Sequence, residues 1–317
     1  MKTNQGETMQ DMEKKCKVAV VQASTVPFDK NGALEKTLAL IDKAAGQHPD
    51  LIVFPEAFIP AYPRGFSFGY VVGSRTMEGR EDWKIYYDNA VIVPSADTEA
   101  IGAAAKRAGA YVALGVTERD SLNCTLYCTL LYFGPDGRLL GKHRKLKPTG
   151  SERLIWGEGT GDILTTIPTK FGVIGGLICW ENYMPLARVA LYQQGVAIYL
   201  APTADNREEW QATLRHIALE GRCFVIGCNQ YETKSMIPQI FKNQEELAKV
   251  KEDFCPGGSC VVDPFGKYLV EPIWNREEIA FAELSMDLVP LSRMDFDPTG
   301  HYARPDVLEL IVHKHNK

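Results

Sequence analysis

Apolar positions along the chain fall into two alternating patterns. Dense runs of strand length recur at KVAVVQAS (17–24), DLIVFPEAF (50–58), YVALGVTERD (111–120), FGVIGGLI (171–178), VAIYLAP (196–202) and CFVIGCNQ (223–230). Such runs, apolar on both faces, fit strands buried inside a sheet. Between them, apolar residues return at helical spacing. Leu34, Leu38 and Ile41 mark a helix over 31–46 that stops at Gly46. Further helices are predicted near 97–108, from Pro185 to Gln194, and over 207–221. Two apolar runs, LYCTLLYF and RLLGKHRKL, flank Pro135-Asp136-Gly137, which marks a hairpin. The stretch 231–254 is polar and aperiodic apart from QEELAKVKED, so it reads as an exposed excursion. Strands resume at SCVVD, KYLVEP and EIAFAEL, and the chain ends in an amphipathic tail, PTGHYARPDVLELIVHKHNK.

Strands and helices interleave without a break in composition, which predicts a single α/β domain with mixed parallel and antiparallel neighbours. The expected partition is a polar tail over 1–16, one domain over 17–300 and a C-terminal oligomerisation tail over 301–317.

Composition narrows the function. With 45% hydrophobic and 24% charged residues the chain is not of the disordered class. Lys and Arg number 35 against 40 Asp and Glu, a net charge of −5, so nothing favours non-specific nucleic-acid binding, KHRKLK notwithstanding. No apolar run approaches the roughly 18–20 residues of a membrane span. The polar start MKTNQGETMQDMEKK has no apolar signal core, so a cytoplasmic protein is expected and Asn123-Cys124-Thr125 is a sequon in form alone. The 8 cysteines are too few for a disulfide scaffold, and Cys124/Cys128, Cys223/Cys228 and Cys255/Cys260 lack the two-residue gap of a zinc knuckle. No metal is expected.

Three reactive side chains sit where a buried run ends: Glu56 in LIVFPE, Lys145 in GKHRKLKPT and Cys179 in GVIGGLICWEN. Strand ends are where sites gather in α/β folds. A thiol attacks as thiolate, a nearby ammonium lowers its pKa, and a carboxylate moves protons. Taken singly, each has a plainer reading. Glu56 fits a first-turn helix acid, Lys145 a solvated strand edge, and Cys179 a core thiol. Periodicity does not link them, and alternation puts Lys145 and Lys147 on one face.

A resemblance does link them. VFPEAFIPAYPRGF, GKHRKLKPTGSERLIWGEG and ICWENYMPLAR resemble, in order, the signature blocks of the nitrilase branch of the carbon–nitrogen hydrolase superfamily, and TLYCTLLYF, APTAD, EWQATLRHIALEGRCFV and GHYARPDVL extend the match from about residue 17 to 312. Plant-type and related bacterial nitrilases are most similar, with 231–254 resembling a shortened cleft-lining segment. The resemblance implies a four-layer αββα sandwich and a Glu–Lys–Cys triad. Glu56 would be the general base, Lys145 the catalytic lysine and Cys179 the nucleophile. Glu152 would hold Lys145 and position water. Trp180-Glu181-Asn182 is the nitrilase form of the block. Tyr62, Thr149, Trp156 and Trp180 lie near the triad in sequence and are expected to line the pocket, with Pro202 and Thr203 at its rim. The implied reaction is hydrolysis of an organic nitrile to acid and ammonia without metal or organic cofactor. An amidase using the same triad is the alternative, and a silent scaffold is disfavoured by the intact triad. A homo-oligomer, at least a dimer and up to a spiral of dimers, is also implied. Arylacetonitriles, aliphatic dinitriles and β-cyanoalanine all remain open as substrates.

Overall fold

The structure, a computed structural model, describes residues 13–314. In chain order its elements are β1 (Lys15–Gln22), α1 (Lys30–Ala45), β2 (Leu51–Val53), α2 (Met77–Asp88), β3 (Val91–Ile92), α3 (Ala96–Ala108), β4 (Tyr111–Arg119), β5 (Leu126–Phe133), β6 (Leu139–Arg144), β7 (Thr166–Thr169), β8 (Gly172–Gly176), α4 (Pro185–Tyr192), β9 (Val196–Thr203), α5 (Glu208–Gly221), β10 (Phe224–Asn229), α6 (Gln244–Ala248), β11 (Gly257–Val262), β12 (Tyr268–Trp274), β13 (Glu278–Ser285) and α7 (Leu288–Arg293). The strands form two sheets. One runs β13-β1-β2-β4-β5-β6 with β3 beside β4, the other β12-β11-β10-β9-β8-β7. Each has a parallel centre, β1-β2-β4 and β8-β9-β10, with antiparallel strands outside it except for the short β3, which pairs with β4 in parallel. The buried apolar runs read from the sequence are these central strands.

Alternation along the strands makes the layers. Val18, Val20 and Val53 of the first sheet point inward with Ile198, Leu200 and Ile226 of the second, forming the core between the sheets. Ala19, Val21 and Ile52 point the other way, onto Ile41 of α1 and Ile101 of α3. Tyr199 and Val225 face outward onto Leu191 of α4 and Leu214 of α5. The result is the expected α–β–β–α order. The segments after β2, β8 and β9 meet: Thr203 at the end of β9 reaches Cys179 after β8, and Gln230 of the second sheet reaches the Glu56 carbonyl after β2.

Two readings are corrected. The stretch 231–254 is packed, not exposed: Ile237, Phe241, Leu247 and Phe254 are buried. Phe241 meets Phe28 and Phe66 with ring centroids 4.6 and 4.4 Å apart. Asp82 of α2 accepts the Lys242 and Asn243 N–H groups at 2.7 and 2.9 Å, and Glu246 accepts Ser67 N–H at 2.7 Å. The excursion is a wall clamped onto the 60–88 segment by carboxylates, a pattern without apolar period. Among the described residues the C-terminal tail carries no regular element beyond α7, so the amphipathic reading of it finds no helix or strand there. Val307, Leu308 and Ile311 are exposed, yet the tail's end lies on its own chain, where a Cβ on Gly161 would stand 2.4 Å from the His313 carbonyl. Among the described residues no helix is long and apolar enough to cross a membrane. The first twelve residues of the polar tail lie outside the described residues.

Candidate active site

Glu56 is delivered by a tight turn, not by a helix. Strand β2 ends at Val53, and Ala57 takes a left-handed φ of 47°. This turn lies across β4 so closely that a Cβ on Gly115 would stand 2.1 Å from the Pro55 carbonyl. Glycine is required there. Gln230 at the end of β10 donates its amide to the Glu56 carbonyl at 2.9 Å and fixes the turn from the second sheet.

Lys145 follows β6, an edge strand. Its neighbours Lys142 and Arg144 keep to the surface side and pair with Glu118 at 2.5 and 2.6 Å. His143 and Lys145 alternate with them and face inward, and because the strand ends at Arg144 the alternation does not reach Lys147. Lys145 turns inward and is fully buried, whereas Lys147 is half-exposed and pairs with Glu158. Spacing had left these two lysines equivalent. The structure separates them.

The Lys145 ammonium bridges two carboxylates, Glu56 Oε1 at 2.7 Å and Glu152 Oε2 at 2.8 Å. Glu152 also accepts the Thr149 N–H and the Tyr62 hydroxyl, each at 2.7 Å. Trp156 packs edge-on to Tyr62 at 5.7 Å and lies 5.8 Å from the ammonium. Tyr62, Thr149 and Trp156 thus hold the Lys145–Glu152 pair. Burial would lower the Lys145 pKa, but the Glu56 and Glu152 carboxylates outweigh it and hold the ammonium well above its usual range. Burial raises Glu56, with Lys145 opposing and Glu152 adding. Glu56 Oε1 is occupied by Lys145 and, at 3.5 Å, by the Cys128 thiol. Its Oε2 is buried and has no hydrogen-bond partner among the described residues.

Cys179 opens a short 3-10 turn (Cys179–Tyr183) and takes a φ of 52°, a conformation costly for a side chain with a Cβ. Asn182 holds the turn by donating to the Leu177 and Cys179 carbonyls at 3.0 and 2.8 Å, and its own oxygen accepts the Tyr199 hydroxyl at 2.8 Å. The Thr203 hydroxyl donates to Cys179 Sγ at 3.1 Å. The sequence suggested a thiol acidified by the lysine. Instead, burial pushes the Cys179 thiol up to about 12, the Glu56 carboxylate adds to the rise, and Lys145 and Thr203 only oppose it. The lysine's charge is already spent on two carboxylates. Burial and Glu56 together thus favour the protonated Cys179 thiol over the thiolate.

The pocket residues separate. Pro202 and Thr203 are the last residues of β9 and are buried, so they are not a rim. Trp180 is 40% exposed. Its indole N–H donates to Asp205 Oδ2 at 2.7 Å and its ring meets Arg207 at 4.9 Å, so it is not a core aromatic. Two residues outside the predicted set matter. Glu181 accepts the N–H of Leu146 at 2.5 Å and of Ile178 at 2.7 Å, tying the residue after the lysine to the residue before the thiol. Arg64 donates to the Ala204 carbonyl and stands 5.2 and 5.7 Å from the rings of Tyr62 and Phe254. Nothing in residue type or spacing marked either partnership. Among the described residues no cluster of three His, Cys, Asp or Glu side chains could hold a metal ion.

A thiol on a strained turn, a bridged lysine and a carboxylate with one oxygen unpaired among the described residues are the parts that covalent hydrolysis uses. The carbon-nitrogen hydrolase family model matches residues 17–293. The chain belongs to the carbon–nitrogen hydrolase family. It is 50% identical to an aliphatic nitrilase from Sinorhizobium fredii over 305 residues, 96% of this chain and 97% of that one. It is 45% identical to a bifunctional nitrilase/nitrile hydratase from Lupinus angustifolius over 303 residues, 94% of this chain and 86% of the relative. In fold, this hydrolase is similar to Nit3 of Saccharomyces cerevisiae, a member of branch 10 of the nitrilase superfamily. The TM-score is 0.72 at 24% identity, covering 94% of this chain and all of that one (100%).

Proposed function

We propose that this hydrolase converts an organic nitrile to the carboxylic acid and ammonia, with Cys179 as nucleophile, Glu56 as general base and Lys145 as the electrostatic group. The observation that carries the chemistry is the buried Lys145 bridge between Glu56 and Glu152. The nitrile, rather than amide, substrate rests on the relatives, which are named nitrilases along nearly their whole length.

The Cys179 sulfur attacks the nitrile carbon while its proton passes to Glu56 Oε2 and on to the nitrile nitrogen, which gives a neutral thioimidate and leaves Glu56 a carboxylate again. Lys145 and the backbone N–H after Cys179 stabilise charge developing on nitrogen. Glu56 then takes a proton from water as it adds, giving a tetrahedral intermediate. Loss of ammonia leaves a thioester, and a second water releases the acid and restores the thiol. Loss of the thiol first gives the amide. Glu152 keeps the ammonium in place throughout. The same carboxylate thus serves both half-reactions, as covalent catalysis requires.

The test is ammonia release from a panel of nitriles and their matched amides, with acid and amide quantified separately. Turnover of nitriles by the intact enzyme and none by Cys179→Ala is expected. Faster turnover of the amides would favour the amidase reading.

We propose further that the enzyme is a homo-oligomer, a dimer or a larger spiral of dimers. Tyr183, Met184 and Leu186 are exposed around the start of α4, beside a groove lined by Thr213 and His216 of α5, and Val307, Leu308 and Ile311 add an exposed apolar tail. Light scattering decides it. A single species near 35.3 kDa with full activity would refute it.

A further inference from the structure

We propose that Thr203 is a catalytic residue of this site: its hydroxyl donates the hydrogen bond that holds the Cys179 sulfur and stabilises the thiolate as it forms. The proposal rests on the cysteine-nucleophile reading above and adds a group that the Glu–Lys–Cys triad does not contain.

A hydroxyl has one proton to give. Thr203 Oγ1 accepts the Asp205 N–H at 2.9 Å, which occupies a lone pair and leaves the proton for another partner. That partner is Cys179 Sγ at 3.1 Å. Thr203 is 1% exposed, so bulk water does not compete for it. The donor is pre-set because the segment after β9 is pinned residue by residue. Arg64 holds the Ala204 carbonyl. Asn229 donates to the Asp205 carbonyl at 3.0 Å. The Asp205 carboxylate takes the Trp180 indole N–H at 2.7 Å and Arg207 Nε at 2.9 Å. These contacts fix the Asp205 amide, and the amide fixes the hydroxyl.

The sulfur needs such a donor. It is buried beside the Glu56 carboxylate, both of which disfavour charge on it, and the Lys145 ammonium is already shared between two carboxylates. A neutral O–H aimed at sulfur favours the thiolate without adding a further charge. As Cys179 attacks, the S–H bond breaks, the sulfur electron pair forms the C–S bond, one C–N π pair moves onto nitrogen, and the proton passes through Glu56 to that nitrogen. The Thr203 O–H bond stays intact. When the acyl group leaves, the same donor receives the thiolate again, so it serves both attack and departure.

The experiment reads the thiol directly. The rate of Cys179 alkylation by iodoacetamide, followed by peptide mass, is measured across pH for the wild type, Thr203→Val and Thr203→Ser. Valine keeps the branched shape and removes the donor. Serine keeps the donor and removes the methyl group. A hydrogen bond to a charged group is worth roughly tenfold or more, so in Thr203→Val the alkylation profile should move up by about one pH unit or more. The kcat for a nitrile should fall by a similar factor with KM little changed, while Thr203→Ser stays close to wild type. A Thr203→Val profile that overlays the wild type would overturn the proposal. So would a Thr203→Ser variant displaced as far as Thr203→Val, which would indicate packing. Thr203→Ala, with circular dichroism as the check on folding, replaces the valine variant if that fails to fold. Should the wild type release ammonia from no nitrile, the substrate reading falls, while the alkylation profiles still decide the role of Thr203.

Discussion

Lys145 Nζ stands 2.7 Å from Glu56 Oε1 with no solvent at either side chain. The pair joins the end of edge strand β6 to the turn after the central strand β2. Removing one partner of a buried pair leaves the other charge uncompensated. Lys145→Ala and Glu56→Gln should each lower kcat by roughly 10²–10⁴-fold, because electrostatic and acid–base contributions are of that size. Lys147→Ala breaks only an exposed ion pair and should leave kcat within about twofold. Steady-state kinetics on the three variants check this. A sensitive Lys147 beside a tolerant Lys145 would contradict the assignment.

Glu181 makes the complementary tie between Leu146 and Ile178, and His143 Nε2 approaches its carboxylate at 3.0 Å. Glutamine in its place would offer one acceptor oxygen and turn an N–H₂ toward a donor. Glu181→Gln should cost about 1–3 kcal/mol of stability from unsatisfied buried donors. It should also lower kcat more than it raises KM, since lysine and thiol lose their common brace. Thermal unfolding together with the kcat and KM values tests both halves. A destabilised variant with unchanged kcat would leave Glu181 a purely structural role.

All eight cysteines are free, and Cys124 is the exposed one. Burial pushes the Cys179, Cys223 and Cys260 thiols each up to about 12, so at neutral pH they are slow to react. A thiol reagent should therefore label Cys124 first and leave hydrolysis intact. Cys124→Ser should remove the fast phase. A fast phase that persists and tracks inactivation would show Cys179 to be more acidic than its burial implies.

The sandwich was legible because the chain's strands are apolar on both faces and the helices between them carry a helical period. Glu56, Lys145 and Cys179 stood out as reactive groups at strand ends, and resemblance alone linked them. What stayed hidden has a common cause. Asp82, Glu181 and Glu246 act by accepting backbone N–H groups from distant segments, and such contacts leave no periodic trace. The wall formed by 231–254 is held that way, so its polar sequence read as solvent-facing. The Trp180 indole N–H is taken by Asp205 in the segment after β9, a partnership that its place beside Cys179 in the sequence did not mark.

Glu232 sets a pH window for stability. It is 3% exposed, and its carboxylate accepts no hydrogen bond among the described residues. Burial raises its pKa from 4.5 to about 7, with the Arg64 charge opposing. The unfolded chain releases this proton near the ordinary glutamate value, while the folded chain keeps it until about pH 7. Between those limits the folded state binds more protons, so stability falls as pH rises through the window and is fully present below it. The span corresponds to at most about 3 kcal/mol. Glu232→Gln mimics the protonated form. It should leave the unfolding temperature at about pH 5 near that of the wild type, and raise it at about pH 8 by several degrees. Calorimetry at the two pH values is the measurement. Equal pH dependence in both proteins would mean that Glu232 titrates as a solvated carboxylate. A variant less stable at the higher pH would mean that the Glu232 charge is instead needed by Arg64.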